Sequence, residues 1–304
     1  MDVDTRLVRY FVAVADEGSL TRAAQRLFVS QPALTKQIKA LEDRLGVRLF
    51  TRSRAGMALT EAGRELAARA PAMLAACDLA LRETKSAASR AARVLRVGFL
   101  ASAANEATQD IVAAFGRARP GWRVDLRLSS WADPTAGLAD GDVDVALLRL
   151  PCPGQDALRV TVLFAEPRWV VLPTAHPLAG RERIDFADLL DEPFVAAPVE
   201  TGVWRDYWLA VEERGGTEPR IGAVTDQPDS WLQAIANGYG IALAPASSAR
   251  FYARPGVVFR PVDGVGPSRV GVAWPPAADS DPVVRDFVRC CIEFVEFDNF
   301  DEQV

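Results

Sequence analysis

Residues 19–42 read SLTRAAQRLFVSQPALTKQIKALE, which spells out two short helices joined by a tight turn. Ser19 and Thr21 are residue types that open helices, and Ser30 is an N-cap candidate with Pro32 placed two residues on, where a first helical turn tolerates it. In the second helix Leu34, Ile38, Leu41 and Leu45 recur at steps of four, three and four, forming one inward apolar stripe. Pro32, Lys36 and Lys39, with Thr35 at the flank, fall on the opposite side. That exposed face is small and basic, the shape and charge that suit a DNA groove.

A helical hairpin of this kind also serves in ordinary protein cores, and the residues that follow weigh against that alternative. Gly46 reads as a helix stop. Arg48, Arg52 and Arg54 then bracket Val47, Leu49, Phe50 and Thr51, which predicts a short two-stranded wing carrying cations. Helix, helix-turn-helix and basic wing together make a winged DNA-binding unit whose wing arginines reach phosphates or a minor groove.

The runs LFVSQPALT (27–35), LEDRLGVRLF (41–50) and LTEAG (59–63) resemble the LysR-type transcriptional regulators. The likeness is strongest over residues 1–63 and continues in order along the whole chain. It implies an α/β fold in three parts. Residues 1–58 form a winged helix-turn-helix and 59–90 a linker helix. Residues 91–304 form a two-lobed, periplasmic-binding-protein-like effector domain, with lobe I at about 94–164 and 268–304 and lobe II at about 165–267. Base or phosphate contacts are expected from Thr21, Ser30, Gln31, Pro32, Ala33, Thr35, Lys36 and Lys39, and wing contacts from Arg52 and Arg54. Phe28 occupies the turn position where many helix-turn-helix units carry glycine.

Charge is distributed as that division requires. The 304-residue chain carries a net charge of −5, which alone argues against a polyanionic partner. Yet residues 1–93 hold 16 Lys and Arg against 10 Asp and Glu, net +6, whereas residues 94–304 are net −11. A small basic module joined to an acidic one fits a DNA-binding protein. The acidic Met1-Asp2-Val3-Asp4 start runs straight into an amphipathic helix with Leu7, Phe11, Val12 and Val14, so a cytoplasmic location is expected. The longest charge-free run, 230–249, contains Gln233, Asn237, Gly238, Gly240 and Pro245. It reads as helix, turn and strand rather than a membrane span.

Cys77, Cys152, Cys290 and Cys291 show no metal-ligand spacing, and reduced thiols are expected. Some regulators of this kind sense oxidants through two cysteines in the segment here numbered about 195–210, where this chain has none. His176, the one histidine, precedes Pro177 and is expected to be a solvated loop residue. No metal and no cofactor are expected.

From Thr60 to about Ser89 an alanine-rich helix carries Ala62, Leu66, Ala70, Met73, Cys77 and Leu81 along one narrow apolar seam, interrupted by the helix-unfriendly Pro71. The resemblance implies that two subunits pair through it, a homodimer assembling further to a homotetramer on promoter DNA near RNA polymerase. Beyond Arg93 strands and helices alternate: strand 94–99, helix 104–118, strand 124–128, a short helix 134–140 and strand 143–148. After Pro151 come strands near 160–165 and 168–172, a helix over 203–214, strand 220–225, helix 229–237, strand 241–243, strand 270–274 and helix 282–297. Alternation of this kind predicts parallel sheets with helices on both faces.

Ligands of such sheets sit at strand ends near helix N-termini. By resemblance Ser102, Trp131, Arg149, Ala197, Val203 and Asp226, with the adjacent Trp204, line an effector cleft for a small molecule, anionic or aromatic. Capping for Ser102, ion pairing for Arg149 and Asp226, and packing for Trp131 are the alternatives. Trp131 departs from the small polar residue common there, and Trp204, Tyr207, Trp208 and Trp231 add four aromatics near it. A pocket filled by its own tryptophan and a pocket shaped for a flat effector both fit this pattern. A two-lobed binding protein without a regulatory role would need an export signal and no helix-turn-helix. An enzyme is the third reading, and it lacks support: no nucleophile elbow, phosphate loop or dinucleotide fingerprint is present, since Gly238-Tyr239-Gly240 lacks the third glycine.

Overall fold

Asp4 caps the first helix, its side chain accepting from Arg6 N–H, and Gly18 ends that helix in the left-handed conformation. This helix, α1 (Thr5–Glu17), is followed by α2 (Leu20–Arg26) and α3 (Gln31–Leu45), then β1 (Phe50–Ser53) and β2 (Gly56–Leu59). The computed structural model describes residues 4–53, 56–100, 103 and 107–301. The chain divides into two compact units, Met1–Thr84 and Lys85–Val304.

In the first unit Leu7, Phe11 and Val14 of α1 meet Ala23 and Ala24 of α2 and Leu34, Ile38 and Leu41 of α3 in one core. Burying each large aliphatic side chain contributes about 1.5–3 kcal/mol. Ser19 and Ser30 cap α2 and α3 through their hydroxyls, Pro32 sits in the first turn of α3, and Gly46 ends it at φ 71°. The wing is an antiparallel pair in which Phe50 faces Leu59 and Thr51 faces Ala58. It is tied to the end of α1 by the Met57 N–H to Gly18 carbonyl bond of 2.9 Å. Position 56 must be glycine, because a Cβ there would stand 2.5 Å from the Gly18 carbonyl oxygen.

The long helix α4 (Glu61–Ala91) includes Pro71 within its length. Its seam is used differently along its course. Ala62 and Leu66 pack on the α1–α3 core, and Ala70 and Leu74 close on Val8 and Val12 of α1. Met73 and Leu81 remain 43% and 58% exposed. The first half of the predicted pairing face is therefore spent within the chain, because α1 lies against it.

The second unit is built on a five-stranded sheet ordered β4-β3-β5-β13-β6, from β3 (Val94–Leu100), β4 (Arg123–Ser129), β5 (Val145–Leu150), β6 (Arg159–Glu166) and β13 (Ser268–Trp274). Helices α5 (Thr108–Ala118) and α9 (Pro282–Asp301) cross it, with Phe115 packed edge-on against Phe287. A four-stranded sheet ordered β11-β7-β12-β8 combines β7 (Arg168–Pro173), β8 (Ile184–Asp185), β11 (Ala242–Pro245) and β12 (Val257–Asp263). The pair β9 (Pro193–Ala196) and β10 (Arg220–Val224), with helices α6 (Val203–Trp208), α7 (Pro228–Ala236) and α8 (Ser248–Phe251), completes the unit.

Several expectations are corrected. The sheets are mixed: β3 runs parallel to β4 and β5, but β13 is antiparallel to β5 and β6, and β7 is antiparallel to β11 and β12. Strand direction depends on where the returning chain inserts, which local alternation does not encode. Residues 134–140 form turns and no helix. There Asp133 accepts from the Thr135 N–H and hydroxyl and the Gly137 N–H, while Ala136 and Gly137 take φ of 50° and 88°, outside helical space. The helix expected over 203–214 stops at Trp208 because Ala210 turns left-handed at φ 51°. Strands β8, β9 and β12 were not anticipated. The buried strand expected at 143–148 lies two residues later. His176 is not solvated: its Nδ1 accepts from Leu178 N–H at 3.2 Å and its Nε2 is 3.4 Å from Glu192.

Candidate functional site

On α3 the buried stripe turns the opposite face outward. Gln31, Pro32, Ala33, Lys36 and Lys39 are exposed, as are Thr21 of α2 and the cap Ser30, while Thr35 is half-buried. Gln31 and Thr35 sit one turn apart and are bonded to each other, the Gln31 carboxamide donating to Thr35 Oγ1 at 3.1 Å. Phe28, in the turn between the helices, takes φ 53° and is 92% exposed. Left-handed backbone is uncommon for a bulky residue, so the turn holds Phe28 where glycine would rest more easily.

Glu42 is the residue that sequence reasoning missed. Buried on α3, it accepts from the Leu49 and Phe50 backbone N–H groups at 2.8 and 3.2 Å and from Arg48 at 2.8 Å. It thus fixes the start of the wing to the recognition helix. A glutamate at the edge of the apolar stripe gave no sequence signal, because its partners lie beyond the helix stop. Arg54 and the side chain of Arg52, both expected on DNA, lie outside the described residues.

The second site is a cleft in the Lys85–Val304 unit. Trp131 reaches it from the segment after β4, Ala197 from the end of β9, Trp204, Arg205 and Trp208 from α6, and Trp231 from α7. The indole of Trp131 stands 6.1 Å from that of Trp204 and 5.5 Å, edge-on, from that of Trp231. Trp204 in turn meets Trp208 edge-on at 6.0 Å. Ser248 and Tyr252 also line it; burial pushes the Tyr252 phenol up to about 12, against a smaller opposing pull from Arg149. The Trp131 backbone N–H donates to the Asp226 carbonyl at 2.9 Å.

The expected cleft residues divide. Trp131, Ala197 and Trp204 are brought together; Asp226 takes part through its backbone, and its side chain is exposed. Val203 is exposed at the start of α6 and does not line the cleft. Ser102 lies outside the described residues. Arg149 is the correction: it is 1% exposed, donates to Glu166 at 2.6 Å and to Ser268 at 3.1 Å, and is not among the lining residues. Glu166 also accepts from the Ser247 N–H at 2.6 Å. Desolvation lowers the Arg149 pKa from its ordinary value, and Glu166 opposes that shift. Its charge is therefore committed to an internal pair.

A second buried guanidinium lies beside it. Arg168 donates to the Gly266 and Tyr207 carbonyls, each at 2.7 Å, pairs with Glu213 and lies over the Tyr207 ring at 4.3 Å. Arg149, Glu166, Arg168, Gly266 and Ser268 thus cluster where the chain leaves β6 and where it returns to β13. Both crossings between the two sheets are clamped by buried charge.

Among the described residues no group of three or more His, Cys, Asp or Glu gathers to hold a metal ion. No described helix is long and apolar enough to cross a membrane. Cys77, Cys152, Cys290 and Cys291 are free thiols.

Comparison with known proteins matches both units. Residues 5–64 fit the family described as bacterial regulatory helix-turn-helix protein, lysR family, and residues 88–296 fit the LysR substrate binding domain. The chain belongs to the LysR family of transcriptional regulators. It is 32% identical to the HTH-type transcriptional regulator YnfL of Escherichia coli, over 94% of this chain and 97% of that one. It is 33% identical to the Hca operon transcriptional activator HcaR of the same organism, over 94% and 96%. Among solved structures, full-length CbnR complexed with its target DNA aligns with a TM-score of 0.52 at 25% identity, covering 96% of this chain and all of that one. Full-length BenM aligns at 0.53 and 25%, covering 98% of each. This LysR-type regulator therefore joins a DNA-binding helix-turn-helix to a substrate-binding domain, as the residue patterns anticipated.

Proposed function

We propose that this LysR-type regulator reads promoter DNA with Gln31, Thr35 and Lys36 at base edges or adjacent phosphates, with Arg52, Arg54, Thr21 and Lys39 holding the backbone. Subunits pair through the exposed remainder of α4 and assemble to a homotetramer in the cytoplasm. A small molecule in the tryptophan-lined cleft changes the angle between the two sheet lobes, and with it DNA bending near RNA polymerase. The observation that carries this reading is the two-sided α3. Its apolar stripe packs into the core, and Gln31, Pro32, Ala33, Lys36 and Lys39 are left exposed on the opposite side. An effector shifts such a system only through its unequal affinity for the two arrangements.

Nuclease footprinting on the DNA flanking the chain's own gene tests this function. A protected site with two-fold symmetry that disappears on combining Gln31→Ala with Lys36→Ala supports it. Protection that is indifferent to sequence and to both substitutions rejects it.

A further inference from the structure

Of the described side chains lining the cleft, Trp131 is the one contributed from outside residues 195–252. It is pinned there by its own backbone, through the N–H bond to the Asp226 carbonyl, and its indole is flanked by those of Trp204 and Trp231. What space remains is small. The cavity volume is about 50 Å³, room for a few water molecules at roughly 10–15 Å³ each and well short of the roughly 150 Å³ that admits a benzene ring.

The polar atoms of the cluster point the same way. Buried tryptophans ordinarily find an acceptor for the indole N–H, yet Nε1 of Trp131, Trp204 and Trp208 is buried without a hydrogen-bond partner. Trp204 is itself 4% exposed. Among the described residues no Asp or Glu lines the cleft, and the charged lining group is Arg205, which donates to the Ala197 carbonyl. Among the described residues the site thus offers ring faces, indole donors and a guanidinium, the hydroxyls of Ser248 and Tyr252, and no carboxylate.

From this we infer that Trp131 is the resident occupant of the cleft, and that the effector is a flat aromatic molecule bearing carboxylate or carbonyl oxygens that takes the place of its indole. The inference rests on the reading of the cleft as the effector site. A ring of that kind restores the stacking that Trp131 gives up, and its oxygens supply acceptors to the unpaired indole N–H groups and to Arg205. An aliphatic polyol or an amine does neither.

The test uses the full chain with indole and indole-3-carboxylate as probes, followed by calorimetric titration and thermal melting. Trp131→Gly is expected to bind both at least roughly tenfold more tightly than the parent, indole-3-carboxylate ahead of indole, with its melting temperature returning toward the parent's. Trp131→Phe should stay close to the parent. Trp131→Leu, which trims the ring but keeps apolar filling, should rank between Gly and Phe and serves if the glycine variant does not fold. Equal, weak binding by the parent and all variants that melt cooperatively overturns the inference. So does a preference for indole over its carboxylate in Trp131→Gly. The promoter footprint of the same samples separates the two layers. Probe binding that leaves the footprint unmoved upholds the occupancy of the cleft and rejects its role as the switch. A footprint that responds to another ligand, while the variants gain no affinity for the rings, upholds the switch and rejects the occupancy.

Discussion

The Gln31 carboxamide nitrogen donates to Thr35 Oγ1 at 3.1 Å while the Thr35 hydroxyl donates back to the Gln31 carbonyl at 2.9 Å. The pair fixes one end of an exposed amide on the outer face of α3 and leaves its oxygen for a partner. Thr35→Val removes the restraint and keeps the shape. It should lower discrimination between cognate and scrambled DNA while leaving non-specific binding intact. Gln31→Ala should weaken cognate binding by about 1–3 kcal/mol, the worth of a good base contact. Gel shifts at fixed salt measure both, and an unchanged specificity ratio in the two variants would remove Gln31 from the base-reading set.

Glu42 holds two backbone N–H groups of the wing, so its loss should be felt in both stability and DNA binding. Glu42→Ala leaves Leu49 and Phe50 donors buried and unpaired, costing about 1–3 kcal/mol for a group so stranded. Glu42→Gln retains an acceptor and should cost less. Urea unfolding ranks the two, and equal stability of all three proteins would show that the wing is held by other contacts.

Arg149 and Glu166 form a buried pair, and such pairs respond asymmetrically to deletion. Arg149→Met or Glu166→Leu alone strands a charge and should destabilise by about 3–5 kcal/mol. The double variant should lose less than either single change. A double-mutant cycle from denaturant curves reports the coupling, and additive losses would mean that the two charges act independently.

The row of exposed Met73 and Leu81 with half-buried Cys77 between them on α4 is available for a second copy of the chain. Met73→Glu with Leu81→Glu should convert the full chain to smaller species in sedimentation at tens of micromolar, roughly the range of modest affinity. An unchanged sedimentation coefficient would place self-association elsewhere.

Burial raises the Tyr252 pKa from 10.0 to about 12. The folded state therefore holds that proton more tightly than the unfolded chain. The associated stability is complete below pH 10 and is lost as pH climbs from there toward 12. Tyr252→Phe should flatten this part of the stability profile. Denaturant midpoints at pH 9 and pH 11 test it, and parallel profiles for parent and variant would count against it.

The helix-turn-helix was legible because everything that defines it is local: caps at Ser19 and Ser30, a four-three-four apolar step and a glycine stop. The cleft was half legible. Trp131 stood out as a large residue in a position expected to be small, and Trp204 and Trp231 followed from it. Arg149 misled because a cation at a strand end can turn toward the cleft or toward a neighbouring chain crossing, and Glu166 and Ser268, both distant in sequence, decide which. Glu42 and Tyr252 were missed for the same reason, since their burial is created by segments that no local pattern connects to them. The short helix expected at 134–140 failed on chemistry that was in view: Asp133 followed by Thr135 and Gly137 offers a side-chain turn that competes with helix.

The order β4-β3-β5-β13-β6 places one of the last strands of the chain between two much earlier ones. During synthesis β5 and β6 are finished more than a hundred residues before the strand that joins them, whereas residues 168–263 already contain every strand of their own sheets. That segment is thus equipped to form first and to deliver β13 into a waiting gap. A stop codon near residue 267 would cost far more than a tail, because it would leave the five-stranded sheet split through its middle with two open strand edges prone to pairing with other chains.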